Sequence, residues 1–186
     1  FSNRSLLLTG ASGYIGRRLC ERLVENGAHV TLLQRSEGAV PAGTLPVVVP
    51  DWTPAGLKRA LATRHFDGVF NLAAYGVHPG HRDAEEMLRV NTACAIALYE
   101  LSALSGSSFF LQAGTSAEYA PAARHVPVAE DSAPETNRLY GSSKAMATAG
   151  LLAASAGLDA HLIVARIFGV YGPDEPQHRL LPTLLS

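Results

Sequence analysis

Short runs of uninterrupted apolar residues alternate along this chain with longer stretches where apolar residues recur every three or four positions. The runs predict strands near Ser5–Thr9, His29–Gln34, Pro46–Val49, Gly68–Leu72, Phe109–Ala113 and His161–Ile167. The helical periodicity predicts helices over Ile15–Asn26, Pro54–Thr63, Arg82–Leu104 and Tyr140–Ala156. Strands without polar alternation are covered on both faces. The expectation is therefore an α/β fold, a doubly wound parallel sheet with helices on both faces and right-handed crossovers. Pro121–Asn137, rich in proline and charge, reads as a loop inside the domain rather than a linker.

The first strand runs directly into Thr9-Gly10-Ala11-Ser12-Gly13-Tyr14-Ile15-Gly16, and an amphipathic helix through Leu19, Leu23 and Val24 follows. Three glycines spaced three apart allow a tight turn and let backbone N–H groups approach a phosphate, where the helix dipole favours negative charge. Three glycines alone are a weak signal. Their place between a first strand and a first helix makes a dinucleotide pyrophosphate the expected ligand.

Composition narrows the picture without redirecting it. At 186 residues, 47% hydrophobic and 17% charged with a formal net charge of −1, the chain suits one globular domain. Nothing suggests a nucleic-acid surface or a disordered tail. Cys20 and Cys94 both fall in helical segments and read as small packing residues. No apolar run reaches membrane-spanning length and no charged-then-apolar leader precedes the first strand, so no membrane partner and a cytoplasmic location are expected. Because the chain begins at Phe1 rather than Met, some N-terminal residues are expected to lie outside it.

The end of the second strand bears on cofactor choice. A carboxylate there hydrogen-bonds the adenosine ribose, whereas an arginine accommodates the extra phosphate of NADP. Here the strand ends in Gln34-Arg35-Ser36, with no carboxylate and with a guanidinium suited to a phosphate. NADP is expected over NAD; the alternative is that Arg35 is a solvated surface charge. Further along, Tyr140 and Lys144 stand four residues apart and project from one helix face. An ammonium beside a phenol stabilises phenolate, which would let the tyrosine exchange a proton with a substrate oxygen near neutral pH.

With these residues in order, the chain resembles the extended short-chain dehydrogenase/reductase family, also called the NAD-dependent epimerase/dehydratase family. Thr9-Gly10 to Gly16 is similar to its glycine motif, and Asp51-Trp52 stands where the family has an Asp and an apolar residue around the adenine. Asn71-Leu72-Ala73-Ala74 resembles the post-strand motif against the cofactor, Val90-Asn91 an Asn in the long fourth helix, and Thr115-Ser116 before Tyr119 the Ser/Thr motif. Tyr140 to Lys144 is similar to its Tyr-x-x-x-Lys, and Arg166-Ile167-Phe168-Gly169-Val170-Tyr171-Gly172-Pro173 to the segment that closes over the nicotinamide.

The resemblance implies a Rossmann-type domain over residues 1–170 and the start of a smaller substrate domain at 171–186. It implies Tyr140 as acid/base, Lys144 as the residue that lowers its pKa and holds the nicotinamide ribose, and Thr115, with Ser116 as fallback, on the reacting oxygen. Cofactor-binding residues would be Gly10, Ser12, Gly13, Tyr14, Ile15, Gly16, Arg35, Asp51, Trp52, Leu72, Ala73, Ala74, Tyr140, Lys144 and Phe168. It also implies a homodimer through the helices Arg82–Leu104 and Tyr140–Ala156. Family members continue for about another hundred residues beyond the point where this chain stops, within ordinary domain size.

Two departures matter. The family's 4,6-dehydratases carry Asp-Glu after the catalytic Thr, and this chain has Ser116-Ala117, so a dehydratase is not expected. Many members have Asn at the position of Gly169, which leaves the nucleotide part of a substrate open. The expectation is a nucleotide-sugar epimerase or 4-ketoreductase; the alternatives are a reductase of a non-sugar ketone and a non-catalytic dinucleotide sensor. His78 and His81 lack a third ligand at recognisable spacing, so no metal is expected. Glu118 and Glu130-Asp131 read as solvated loop charges, and Trp52 as a packing residue at the adenine edge.

Overall fold

A computed structural model describes every residue except Pro79, Pro176, His178, Arg179 and Ser186. Six strands form one wholly parallel sheet: β1 (Ser5–Thr9), β2 (His29–Gln34), β3 (Thr44–Val48), β4 (Gly68–Asn71), β5 (Phe109–Thr115) and β6 (His161–Ile167). Their order is β3-β2-β1-β4-β5-β6. The direction of winding reverses between β1 and β4, and at such a switch point the strand ends leave a crevice open to a ligand. This is the Rossmann-like, doubly wound sheet expected. Helices α1 (Tyr14–Glu25), α2 (Pro54–Leu61), α3 (Ala84–Leu88), α4 (Cys94–Leu104) and α5 (Leu139–Ser155) follow their strands, and a short α6 (Leu180–Leu185) comes last.

Alternation along β1 divides the core. Leu6 and Leu8 point to one face, where Cys20 and Leu23 of α1 pack with Val30, Leu32 and Phe70. Leu7 points to the other face, where Leu57, Leu98, Tyr99 and Leu151 from α2, α4 and α5 bury Val69 and Phe110. Both cysteines are buried and unpaired with each other, and burial pushes the Cys94 thiol up to about 11. No helix among the described residues is long and apolar enough to cross a membrane.

Two elements depart from the sequence expectation. The single helix expected over Arg82–Leu104 is α3, then a π-helical turn at Arg89–Ala93, then α4. Asp83 caps α3 by accepting from the Glu86 N–H at 2.8 Å. The widened turn brings Asn91 inward, where its amide bridges both backbone groups of Tyr75 at 2.8 Å and donates to Ser143 Oγ at 3.0 Å. A π turn inside an α-helix commonly marks a functional site, because it re-aims one side chain. Pro121–Asn137 is a loop as expected, but it is pinned at its end: Glu135 is buried and receives the backbone N–H groups of Asn137 and Arg138 just before α5.

Candidate active site

A cleft of about 710 Å³ opens at the C-terminal ends of β1, β4 and β5. Its floor begins at the β1–α1 turn. Gly10 has φ +71°, and a Cβ there would lie 2.7 Å from the Leu72 carbonyl. A Cβ on Gly16 would lie 2.1 Å from the Gly10 oxygen. Only glycine fits either position, so the turn is drawn tight against β4 and α1 starts at the cleft. Gly13 caps α1 without a side-chain hydrogen bond, leaving the first N–H groups of a twelve-residue helix for a ligand. Ser12, Tyr14 and Ile15 also line the cleft there.

A row of polar side chains fixes this floor. The Thr9 hydroxyl donates to Asn71 Oδ1 at 2.6 Å and accepts the N–H groups of Leu72 (3.1 Å) and Ala73 (2.9 Å). Asn71 Nδ2 then donates to Gln112 Oε1 at 2.7 Å. Thr9, Asn71 and Gln112 are register partners on three adjacent strands. Their hydrogen bonds hold the Leu72-Ala73-Ala74 backbone where it lines the cleft. Sequence reasoning missed Thr9 and Gln112 as site-forming residues; a lone polar residue interrupting or ending an apolar run is the signal that marks both.

At one end of the cleft Thr115, Tyr140 and Lys144 come together. Thr115 closes β5 and caps the 3-10 turn Ser116–Glu118; its Oγ1 accepts the Ala117 N–H at 3.2 Å. Its own hydroxyl proton is then available to the neighbouring Tyr140 phenol, whose pKa the Thr115 hydroxyl acts to lower. A Cβ on Gly141 would lie 2.1 Å from the Ala117 oxygen, so glycine beside Tyr140 lets α5 approach the turn. Ser116, the fallback for Thr115, is not a lining residue. Lys144 is buried, donates to the Ala113 carbonyl at 2.6 Å, and is lowered by burial to about 8, with the Glu118 carboxylate opposing that shift.

Two expectations are corrected here. Burial, then the Glu118 carboxylate, raises the Tyr140 pKa, and the Thr115 hydroxyl only partly opposes them. The expected lowering by Lys144 is absent because the ammonium is turned to a backbone carbonyl. Glu118 is no solvated loop charge. It is 2% exposed, with Oε1 accepting the Thr115 N–H (2.8 Å) and Oε2 accepting Thr148 Oγ1 (2.7 Å) and Arg166 Nε (3.1 Å). Glu130 and Asp131 are exposed, as expected of a loop.

The other end carries Arg35 and Trp52, both lining the cleft, with the Arg35 guanidinium 5.9 Å above the indole. Arg35 is paired with Glu86 at 2.7 Å, so it is neither a free phosphate ligand nor a simple solvated charge. Asp51 is not a lining residue. Its carboxylate turns to Thr53 (3.1 Å), the cap of α2, and to Arg59 (2.7 Å) in the last turn of that helix, which supplies a cation. Phe168 also lines the cleft and is well exposed. His81 stacks on Tyr75, and among the described residues no three His, Cys, Asp or Glu side chains cluster to hold a metal.

The sequence profile described as "NAD dependent epimerase/dehydratase family" matches residues 6–186. The chain belongs to that family. It is 32% identical over 182 residues to a dTDP-6-deoxy-L-talose 4-dehydrogenase (NAD(P)(+)) of Kitasatospora kifunensis, covering 95% of this chain and 56% of the relative. Among solved structures it is similar to MoeE5 in complex with UDP-glucose and NAD, at 30% identity and a TM-score of 0.79, covering 97% of this chain and 60% of the other. A putative epimerase from Burkholderia cenocepacia J2315 shares the fold at a TM-score of 0.84 and 22% identity, covering 99% and 60%. The chain thus spans somewhat more than half the length of these relatives.

Proposed function

We propose that this family member is an NAD(P)-dependent enzyme acting on a nucleotide-linked sugar, as a 4-epimerase or 4-ketoreductase. The observation that carries the reading is the shape of one cleft. At one end it holds an uncapped helix N-terminus over glycines that no Cβ can replace, and at the other a hydroxyl, a phenol and a buried ammonium. The relatives support it: one is named for a dTDP-sugar and NAD(P)(+), another is titled with UDP-glucose and NAD.

The residues present fit such a dinucleotide. Gly10, Ser12, Gly13, Tyr14, Ile15 and Gly16 would hold the pyrophosphate, Arg35 and Trp52 the adenosine, and Leu72, Ala73 and Ala74 the connecting wall. Tyr140 and Lys144 would hold the nicotinamide ribose, with Phe168 at the nicotinamide side. The carboxylate of Asp51 is left out of this set. A bound NAD(P) supplies hydride exchange with a substrate carbon. Tyr140 keeps its proton at neutral pH because burial disfavours the phenolate, so it is set to donate to a carbonyl oxygen and to take the proton back from the alcohol. Thr115 hydrogen-bonds the same oxygen and can both donate and accept. Ala117 offers no acid for a leaving hydroxyl, so dehydration is not part of the reading. We read 171–186 as the opening of a substrate domain.

Assembly as a homodimer belongs to the same reading. α4 carries a single charged side chain, Glu100, and α5 packed against it leaves Met146 and Leu152 exposed. Light scattering that shows a monomer at micromolar concentration contradicts it. For the reaction, the purified protein is incubated with NAD(P)(H) and a panel of nucleotide sugars, and products are resolved by mass and NMR. Unchanged mass with inverted stereochemistry identifies an epimerase, a two-hydrogen change a reductase, and no conversion across the panel defeats the sugar reading.

A further inference from the structure

The rim of the adenosine end holds a charge cluster that the cofactor reading leaves unexplained. Glu86, on α3, lies between two guanidiniums: Oε1 pairs with Arg35 at 2.7 Å and Oε2 pairs with Arg89. The two arginines are anchored differently. Arg89 also donates to the Asp51 carbonyl at 2.9 Å and to the Trp52 carbonyl, and the Cys94 thiol donates to that same Trp52 carbonyl. Together these bonds hold Trp52 at φ +32°, a left-handed conformation that is costly for a bulky residue. The strained backbone places the indole in the cleft wall, where it supports Arg35 from below. Arg89 is therefore committed to the backbone. Among the described residues Arg35 is held by Glu86 and the indole alone, and its side chain is 44% exposed.

We propose that Glu86 sets the choice between NADP and NAD by competing for Arg35. Glu86 does not line the cleft; it is a positioning residue that acts through Arg35. An adenosine 2′-phosphate needs a guanidinium and carries close to two negative charges. To recruit Arg35 it must draw that side chain away from a half-buried carboxylate that stays nearby and repels it. NAD, with a hydroxyl in place of that phosphate, makes no such demand. The pairing lowers the advantage that Gln34-Arg35 would otherwise give NADP, and leaves a site that accepts both nucleotides. This inference rests on the dinucleotide reading above.

Calorimetric titration of the purified protein with NADP and with NAD tests it. Wild type binds the two with dissociation constants within about fivefold of each other, since Glu86 offsets, by the modest worth of a half-exposed ion pair, what Arg35 would give the 2′-phosphate. Glu86→Gln keeps shape and hydrogen bonding but loses the charge; it tightens NADP by about three- to fivefold and changes NAD by less than about 1.5-fold, the worth of a half-exposed ion pair. Glu86→Ala shows the same divergence should the amide itself hold Arg35. Adding Arg35→Ala to either variant removes the gain. A general packing role for Glu86 shifts both nucleotides together, and that result, or no shift in either, overturns the proposal while the dinucleotide reading stands. Failure of wild type to bind either nucleotide overturns both.

Discussion

At the catalytic end of the cleft the charged groups are buried and tied to backbone; at the adenosine end they are half exposed and tied to one another. Glu118 and Lys144 are sealed under α5, each with a main-chain partner, Thr115 N–H and Ala113 C=O. Arg35, Glu86 and Arg59 reach each other or Asp51 across the surface. A buried charge is costly to strand, so the first arrangement fixes one geometry. Exposed pairs contribute little and exchange readily, so the second can adapt to its ligand. On the proposed reading, the chemistry is held rigid and the tuning of cofactor choice is left to groups that can change partners.

The sharpest way to break this comparison is kinetic. Tyr140→Phe keeps the ring packed over Gly76 but removes the one atom that moves a proton. On a converted substrate, turnover is expected to fall by on the order of 10²–10⁴, with cofactor affinity changed by only a few-fold. Near-normal turnover removes Tyr140 from the mechanism. Glu118→Gln tests whether the rigid end is rigid for the reason given. Arg166 and Lys144 lose the carboxylate that faces them, so unfolding in denaturant is expected to be easier by about 3 kcal/mol, with turnover reduced as Thr115 loosens.

Lys144 gives the comparison a pH dependence. Its pKa is lower in the folded protein, about 8, than in the unfolded chain, about 10.5. Below about 8 the lysine is charged in both states and its burial costs stability; as pH rises from 8 towards 10.5 the folded form sheds its proton first and the cost disappears. Lys144→Met is therefore expected to exceed wild type in stability by about 1–3 kcal/mol at pH 7, with the margin shrinking by pH 9.5. A margin that is constant with pH contradicts a charged buried lysine. The smallest effect belongs to the exposed side: Asp51→Ala, whose carboxylate faces Arg59, leaves NAD affinity within about twofold.

Much of this was legible in the residues. Strands β1, β2 and β6 fall where their apolar runs lie; the glycine turn, Tyr140 and Lys144 are marked by local spacing, and Thr115 by the family resemblance. Local spacing has no access to partners far along the chain. Glu118 reads as a loop charge until Thr148 and Arg166, 30 and 48 residues later, close over it. Arg35 reads as unpaired until α3 delivers Glu86. Asp51 aligns with a family position, yet Arg59 on the next helix draws its side chain away. The π turn escaped because a helix with one extra residue keeps nearly the same periodicity; only the inward-facing polar Asn91 hints at it.

The central claim, that this cleft binds a dinucleotide along its whole length, can be tested with the protein's own probe. Trp52 is the single tryptophan of the chain and lines the adenosine end. Titration with NADH, with tryptophan emission recorded, is expected to give saturable quenching and a matching rise in nicotinamide emission by energy transfer. Gly16→Val, whose side chain collides with the Gly10 carbonyl, is expected to abolish both signals in protein that circular dichroism shows to be folded. Unchanged Trp52 emission in the wild type at millimolar NADH, or a full response in the folded Gly16→Val protein, contradicts the account.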